Sequence, residues 1–152
     1  MYLLAKDAIS GKEGTVTATI AGKVSTLAEV VSLKATIDKT KNEFRALGHR
    51  GAQHKATGWT GKGSVTFYYV TSEWTRLMID YARTGRDLYF DIHLANHDPG
   101  SDIGRQRITL RQCNLDNIDV AMIDVNADWL TSSFSFTFSD IDMQEAFAKL
   151  PG

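Results

Sequence analysis

The sequence contains very little cysteine or proline. Cys113 is the only cysteine, so no disulfide can form within the chain, which argues against a disulfide-stapled secreted domain. Pro99 and Pro151 are the only prolines, and no proline-rich linker divides the chain. Internal repeats and low-complexity segments are also absent. The 152 residues therefore predict a single domain, residues 1–152, with one hydrophobic core.

Long apolar runs and a large net charge are missing as well. No apolar run approaches the length of a membrane span, and the first residues lack the charge pattern of a signal peptide. We therefore expect a protein that is made and assembled in the cytoplasm and does not insert into a membrane as a free subunit. The formal net charge of -1 excludes a whole-protein field that would attract DNA or anionic lipid.

Alternating and β-branched segments are plentiful. They predict strands at residues 15–21, 24–31, 33–39, 64–70, 88–94, 107–113, 118–125 and 132–138, with a tight turn at Ala21-Gly22.

One segment is clearly helical. In residues 72–83 the apolar residues fall at i, i+3, i+4 and i+7, namely Trp74, Leu77, Met78 and Tyr81. Thr71 or Ser72 can supply the N-cap oxygen, and Gly85 follows the end of the helix. A second, short helix is predicted at residues 143–149. One amphipathic helix cannot cover both faces of a large sheet. The predicted fold is therefore mostly β with one flanking α-helix, a β-sandwich or barrel.

A glycine-rich segment fits neither a strand nor a helix. Residues 48–63 contain five glycines and several basic residues but no acidic residue. We interpret residues 42–63 as an extended loop, because long loops in compact domains are usually functional or disordered. The glycines would permit unusual backbone angles. Trp59 would need a surface to pack against, on this subunit or on another.

The sequence offers little for catalysis. His93 and His97 lie in or beside a predicted strand, where four residues span about 13 Å, too far for both to share a metal. The segment at residues 58–63 lacks the first glycine and the final Ser or Thr of a phosphate loop. No base is identifiable for Cys113 as a nucleophile. We expect no catalytic residue, metal or cofactor. A metal-dependent hydrolase using His93, His97 and Asp98 is kept as a remote alternative.

Charge is distributed unevenly along the chain. Every charged residue in 46–72 is basic, whereas residues 114–152 contain seven acids and one lysine. Two interpretations stay open at this point. One is ordinary surface variation, and the other is head-to-tail self-association, in which a basic patch of one copy meets an acidic patch of the next.

An ordered set of short motifs extends over nearly the whole chain and resembles a known family, the tail tube proteins of contractile-tailed phages and phage-like particles. The similarity is to the branch found in defective prophages and phage-derived bacteriocins of Gram-positive bacteria. The motifs are Ile9-Ser10-Gly11-Lys12-Glu13-Gly14, His54-Lys55, Thr57-Gly58, Gly61, Gly63, Thr66-Phe67-Tyr68, Val70-Thr71-Ser72, Asp80-Tyr81, Gly85, Asp87, Tyr89-Phe90, Arg107-Ile108-Thr109-Leu110, Phe136-Thr137-Phe138, Asp140 and Asp142.

The resemblance implies a structural virion protein rather than an enzyme. Six copies would form a ring, and rings would stack into the inner tube of a contractile tail. The channel would pass DNA without specific binding, or the tube would act as a membrane-puncturing needle. Partners would be further copies of the chain and the sheath, tape measure, baseplate and tail terminator proteins. The protein would be found in the tail of a virion or phage-like particle, assembled in the host bacterial cytoplasm. The alternative is a ring or baseplate component of the same fold that does not polymerise.

The resemblance and the charge pattern together predict an interface. A ring-stacking or subunit interface is expected on the glycine-rich segment, at Gly48, Arg50, His54, Lys55, Gly58, Trp59 and Lys62. A possible acidic counter-surface on the neighbouring copy comprises Asp116, Asp119, Asp140 and Asp142.

Overall fold

A computed structural model describes residues 4–8, 11–12, 14–26, 30–70 and 72–148. Beyond a short 3₁₀ turn at Ala5–Asp7, this part of the chain forms eight strands and one helix. The elements are β1 (Gly14–Ile20), β2 (Lys23–Thr26), β3 (Val30–Phe44), β4 (Gln53–Tyr68), α1 (Glu73–Thr84), β5 (Phe90–His97), β6 (Arg105–Leu115), β7 (Thr131–Phe138) and β8 (Asp140–Glu145).

All strand pairings are antiparallel and follow the order β2-β1-β5-β6-β7-β4-β3, with β8 also paired to β6. Strand β6 belongs to two layers. Residues 105–113 of β6 pair with β5 and β8, and its last two residues pair with β7. The bend between them lies at Gln112, whose φ of 56° is unusual for a residue other than glycine. Among the described residues, the two edge strands β2 and β3 do not pair with each other. The two layers therefore form an open sandwich and not a closed barrel.

The core lies between the two layers. Alternate residues of β7 point inward, so that Phe134, Phe136 and Phe138 are all buried. They face Ile92 and Leu110 from the other layer within one cluster. Cys113 is fully buried in the same cluster and its thiol donates to the Leu110 carbonyl. The aromatic side chains of one strand therefore supply much of the core volume.

Helix α1 packs across the layers through Trp74. The Trp74 ring lies 5.1 Å from that of Phe90 on β5 and 4.9 Å from that of Phe134 on β7. Gly85 ends the helix with a φ of 72°, as predicted, because a left-handed residue at this position carries no Cβ penalty. Ser72 is the N-cap, although no side-chain cap bond is seen among the described residues, and Thr71 lies outside them. Within the described residues, no helix is both long and apolar enough to cross a membrane.

The fold class predicted from the sequence is confirmed, and so are most of its elements. The turn at Ala21-Gly22 is a two-residue hairpin turn with both φ angles positive, joining β1 to β2. Residues 24–31 and 33–39 were predicted as two separate strands. They fall in β2 and β3, with residues 27–29 outside the described part.

Three sequence predictions were wrong. Residues 118–125 form no strand. After β6 the chain runs beside β7 as far as Asp119, which accepts the Ser132 hydroxyl, and then turns at Asp124, whose carboxylate accepts the Asn126 N–H. The helix predicted at residues 143–149 is not formed by residues 143–148, since β8 continues to Glu145 and pairs with β6. Residue 149 lies outside the described residues. Of the predicted loop at residues 42–63, residues 42–44 belong to β3 and residues 53–63 to β4, and only residues 45–52 connect the two strands.

Candidate assembly surface

The strands β3 and β4 form a hairpin much longer than the rest of the sheet. Residues 61–68 of β4 pair with β7, but residues 53–60 pair only with β3 among the described strands. We call residues 38–60 the distal ribbon. Eight residues of strand rise about 26 Å, so the ribbon extends well beyond the two-layered body.

The distal ribbon is exposed on both faces. Every residue from 38 to 60 is exposed, including the apolar residues Phe44, Leu47 and Trp59. At the base of the ribbon, the Trp59 ring contacts the Phe138 ring with centroids 6.1 Å apart. A two-stranded ribbon with no covered face is marginally stable in water. The ribbon therefore has the properties of a segment that is completed by a binding partner.

The glycines of this region serve two different purposes. Gly48, in the connection at residues 45–52, has a φ of 83° and needs the conformational freedom expected of it. Gly61 and Gly63 lie in β4 without positive φ, and a Cβ there would meet the rings of Phe138 at 2.5 Å and Phe136 at 2.3 Å. Unusual backbone angles were thus the wrong explanation for these two, which leave room for flat aromatic rings.

The predicted interface residues are spread along this hairpin. Gly48 and Arg50 lie in the connection at its tip, and His54 and Lys55 lie opposite Glu43 and Asn42 on β3. Gly58 and Trp59 follow nearer the body.

The distal ribbon carries five Lys or Arg residues against two acids. One of those acids, Glu43, lies 3.4 Å from the Arg45 guanidinium, in an exposed ion pair of little energetic weight. The ribbon therefore carries a net positive charge into solvent.

Lys62 lies apart from the ribbon, within the body of the sheet. Together with Lys34, Thr36, Ser135 and Asp116 it lines a shallow depression. Two residues predicted to face each other across an interface, Lys62 and Asp116, are thus brought together within one chain.

The other predicted acids already have partners in their own chain. Asp142 accepts a hydrogen bond from Arg111, and this bond raises the pKa of the arginine. The Asp140 carboxylate accepts the Ile141 N–H, and Asp119 accepts the Ser132 hydroxyl at 2.9 Å. Beside them, Glu145 accepts two hydrogen bonds from Arg105 at 2.8 Å, which lower the pKa of the carboxyl. The contacts of Arg105 and Arg111 bind β8 to β6.

The sequence analysis anticipated a second exposed surface only in part, through Asp116 and Asp119. Residues 116–130 connect β6 to β7 and contain four acids and no base. Ile123 and Val125 on this connection are 97% and 93% exposed, and Val120 and Trp129 are more than half exposed. Groups of exposed apolar residues are typical of interaction sites. The apolar alternation that suggested a strand is the signal that could have identified it.

A family model described as phage tail tube protein matches residues 1–145. The chain belongs to the phage tail tube protein family. It is 38% identical over 145 residues to the phage-like element PBSX protein XkdM of Bacillus subtilis (strain 168), covering 95% of this chain and 96% of XkdM.

The tail tube fold is also seen in solved structures of low sequence identity. A chain of the anti-feeding prophage baseplate, 6-fold symmetrised, superposes with a TM-score of 0.68 at 13% identity, covering 92% of this chain and 97% of that one. A chain of the PVC extracellular contractile injection system, from its sheath–tube complex in the extended state, gives a TM-score of 0.69 at 10% identity. That match covers 93% of this chain and 95% of the other.

Two of the residues considered for catalysis, His93 and Cys113, have structural partners in this tail tube chain. The two ring nitrogens of His93 lie 3.1 Å and 3.0 Å from the hydroxyls of Thr19 and Thr109. Among the described residues, no three His, Cys, Asp or Glu side chains are grouped as metal ligands. Burial raises the pKa of the Cys113 thiol to about 12, which disfavours the nucleophilic thiolate.

Proposed function

We propose that the protein is a structural, non-enzymatic subunit that forms hexameric rings, and that the rings stack into the inner tube of a contractile tail. The observation that carries this proposal is the distal ribbon, which has no covered face in the single subunit. Because an uncovered two-stranded ribbon is marginal in water, contacts with further copies would stabilise it. Membership of the tail tube family makes copies of the same chain the natural partners.

Ring closure would also satisfy the edges of the sheet. Strands β2 and β3 are the ends of the strand order, and the outer edge of each has no partner in the described part of the chain. Lysines on β3, such as Lys34, Lys39 and Lys41, are typical of an edge protected against indiscriminate pairing. A closed ring removes such edges. The sixfold symmetry of the related baseplate supports six copies.

The outward face of the layer formed by β4 and β7 suits the wall of a channel. It carries small hydroxyl side chains at Ser64, Thr66, Ser133, Ser135 and Thr137, all on the opposite side from the phenylalanines. The same face also carries Lys62, opposite Thr137, and Tyr68, opposite Thr131, so the small side chains occupy its middle. In a tail the channel would pass DNA without specific binding, since tight phosphate contacts would hinder sliding. In a phage-like particle the tube would act as a puncturing needle.

We further propose that the subunit is assembled in the bacterial cytoplasm with the sheath, tape measure, baseplate and tail terminator proteins. A second candidate function is a single ring within a baseplate, since a baseplate chain has the same fold. The two functions differ in whether the rings stack.

The test combines negative-stain electron microscopy with sedimentation velocity on the concentrated protein. Stacked hollow tubes with sixfold end views support the proposal. Single rings support the baseplate alternative, and a monomer that forms neither rings nor tubes when added to a native baseplate contradicts both.

A shortened variant provides the matched control. In the variant, residues 40–58 are replaced by Asn-Gly, which joins the paired residues Lys39 and Trp59 by a two-residue turn. The body keeps its pairings with β7, so circular dichroism should be that of a folded sheet while tubes are lost. Tubes of normal length from the shortened chain would contradict the role of the ribbon.

A further inference from the structure

The connection between β6 and β7 presents an apolar and acidic surface at one end of the molecule. The Tyr69 N–H donates to the Leu130 carbonyl at 2.9 Å, and the Trp129 ring makes an edge contact with that of Tyr68. These contacts hold the connection against the end of β4. Earlier in the connection, Ile123 and Val125 extend into solvent on either side of Asp124. We call residues 120–130 the end loop.

The end loop and the tip of the distal ribbon lie at opposite ends of the same strand. Strand β4 begins at Gln53, beside the tip, and ends at Tyr68, beside the end loop. Sixteen residues of strand span about 50 Å, so the two surfaces cannot meet within one chain. They can meet only when one copy is placed end to end with another.

The two surfaces are complementary in charge and in apolar character. Residues 41–55 at the tip contain four Lys or Arg and one acid, whereas the end loop contains two acids, Asp124 and Asp128, and no base. Leu47 is fully exposed at the tip, and Ile123 and Val125 are almost fully exposed on the end loop. Joining the two would remove all three aliphatic side chains from water and pair opposite charges.

We propose that the end loop is the docking site for the ribbon tip of a second copy of this chain in the adjacent ring. This inference rests on the proposed stacking function and names the surface that receives the ribbon. The acids of β8 are less suitable, because Asp142 and Glu145 are already paired with Arg111 and Arg105 of their own chain. The contact is head-to-tail, so each copy offers one tip and one end loop, and stacking continues without limit.

Disulfide trapping between two full-length variants tests the contact. Leu47→Cys and Ile123→Cys place thiols on the tip and on the end loop, at exposed positions that leave the core untouched. The native Cys113 is fully buried and does not compete. The two proteins carry tags of different mass, are mixed at a concentration that gives stacked tubes, and are oxidised. The control mixes Leu47→Cys with Val24→Cys, an exposed position on the edge strand β2.

We expect the mixed disulfide in the Leu47→Cys and Ile123→Cys sample to exceed that in the control by at least tenfold. Equal yields from the two mixtures, in samples whose micrographs show stacked tubes, overturn the docking site and leave the tube function standing. Failure of the unmodified protein to stack, even when it is added to a native baseplate, overturns both the docking site and the stacking function on which it rests.

Discussion

Replacing Gly63 by alanine should destabilise the free subunit, although alanine normally favours a strand over glycine. The added Cβ would lie 2.3 Å from the Phe136 ring. That ring is fully buried, with the Phe134 and Phe138 rings 6.1 Å and 6.4 Å away, so it has little room to move. Overpacking of this kind costs about 1–3 kcal/mol, and the strand preference for alanine returns about 0.5–1 kcal/mol. We expect a net loss of about 1–2 kcal/mol.

Gly58→Ala is the matched control in the same strand. No described atom outside the neighbouring residues lies within 4 Å of its Cβ position, and its φ is not positive. The control should be neutral or slightly stabilising. In urea unfolding of the monomer, Gly63→Ala should have a lower midpoint than wild type and Gly58→Ala should not, with unchanged m-values for both. The Tm of Gly63→Ala should fall by roughly 3–6 °C. Equal midpoints for the two variants would refute the explanation of Gly63 as space for an aromatic ring.

Three further predictions concern the body of the subunit. Because hydrogen bonds from Arg105 lower the pKa of Glu145, its contribution to stability is present above the ordinary glutamate pKa of about 4.3 and is lost as the pH falls through the lowered folded value. The difference in urea midpoint between wild type and Glu145→Gln should therefore shrink below about pH 4, and a constant difference would contradict the pairing. Cys113 should resist a thiol reagent at pH 8 until the chain unfolds, and immediate labelling would refute its burial. Trp74→Ala should cost about 3–5 kcal/mol, whereas Trp129→Ala, at 65% exposure, should leave the monomer almost unchanged by urea titration.

Local patterns were sufficient for most of the elements. The spacing from Trp74 to Tyr81 identified α1, and the positive φ of Gly85 follows from its position after the helix. The tight turn at Ala21-Gly22 was likewise predicted from the residues, and the structure shows that both φ angles are positive. In each case the determining interaction lies within a few positions of sequence. Such interactions are present in the chain before any tertiary contact forms.

The errors share a physical cause, which is that the deciding contact is distant in sequence. Gly61 and Gly63 looked like loop residues because the rings that require them, Phe138 and Phe136, lie more than seventy positions away. The end of β8, residues 143–145, was mistaken for the start of a helix because the partners that hold it, such as Arg105 for Glu145, come from β6.

The sequence by itself determined the family, the mostly β fold, the single amphipathic helix and the separation of basic from acidic segments. Only the tertiary structure decided where those charges lie. It paired the β8 acids with arginines of β6, and it placed the basic tip and the acidic end loop at opposite ends of β4. Electrostatic and apolar contacts depend on distance in space, and register and strand order set that distance for residues far apart in the chain.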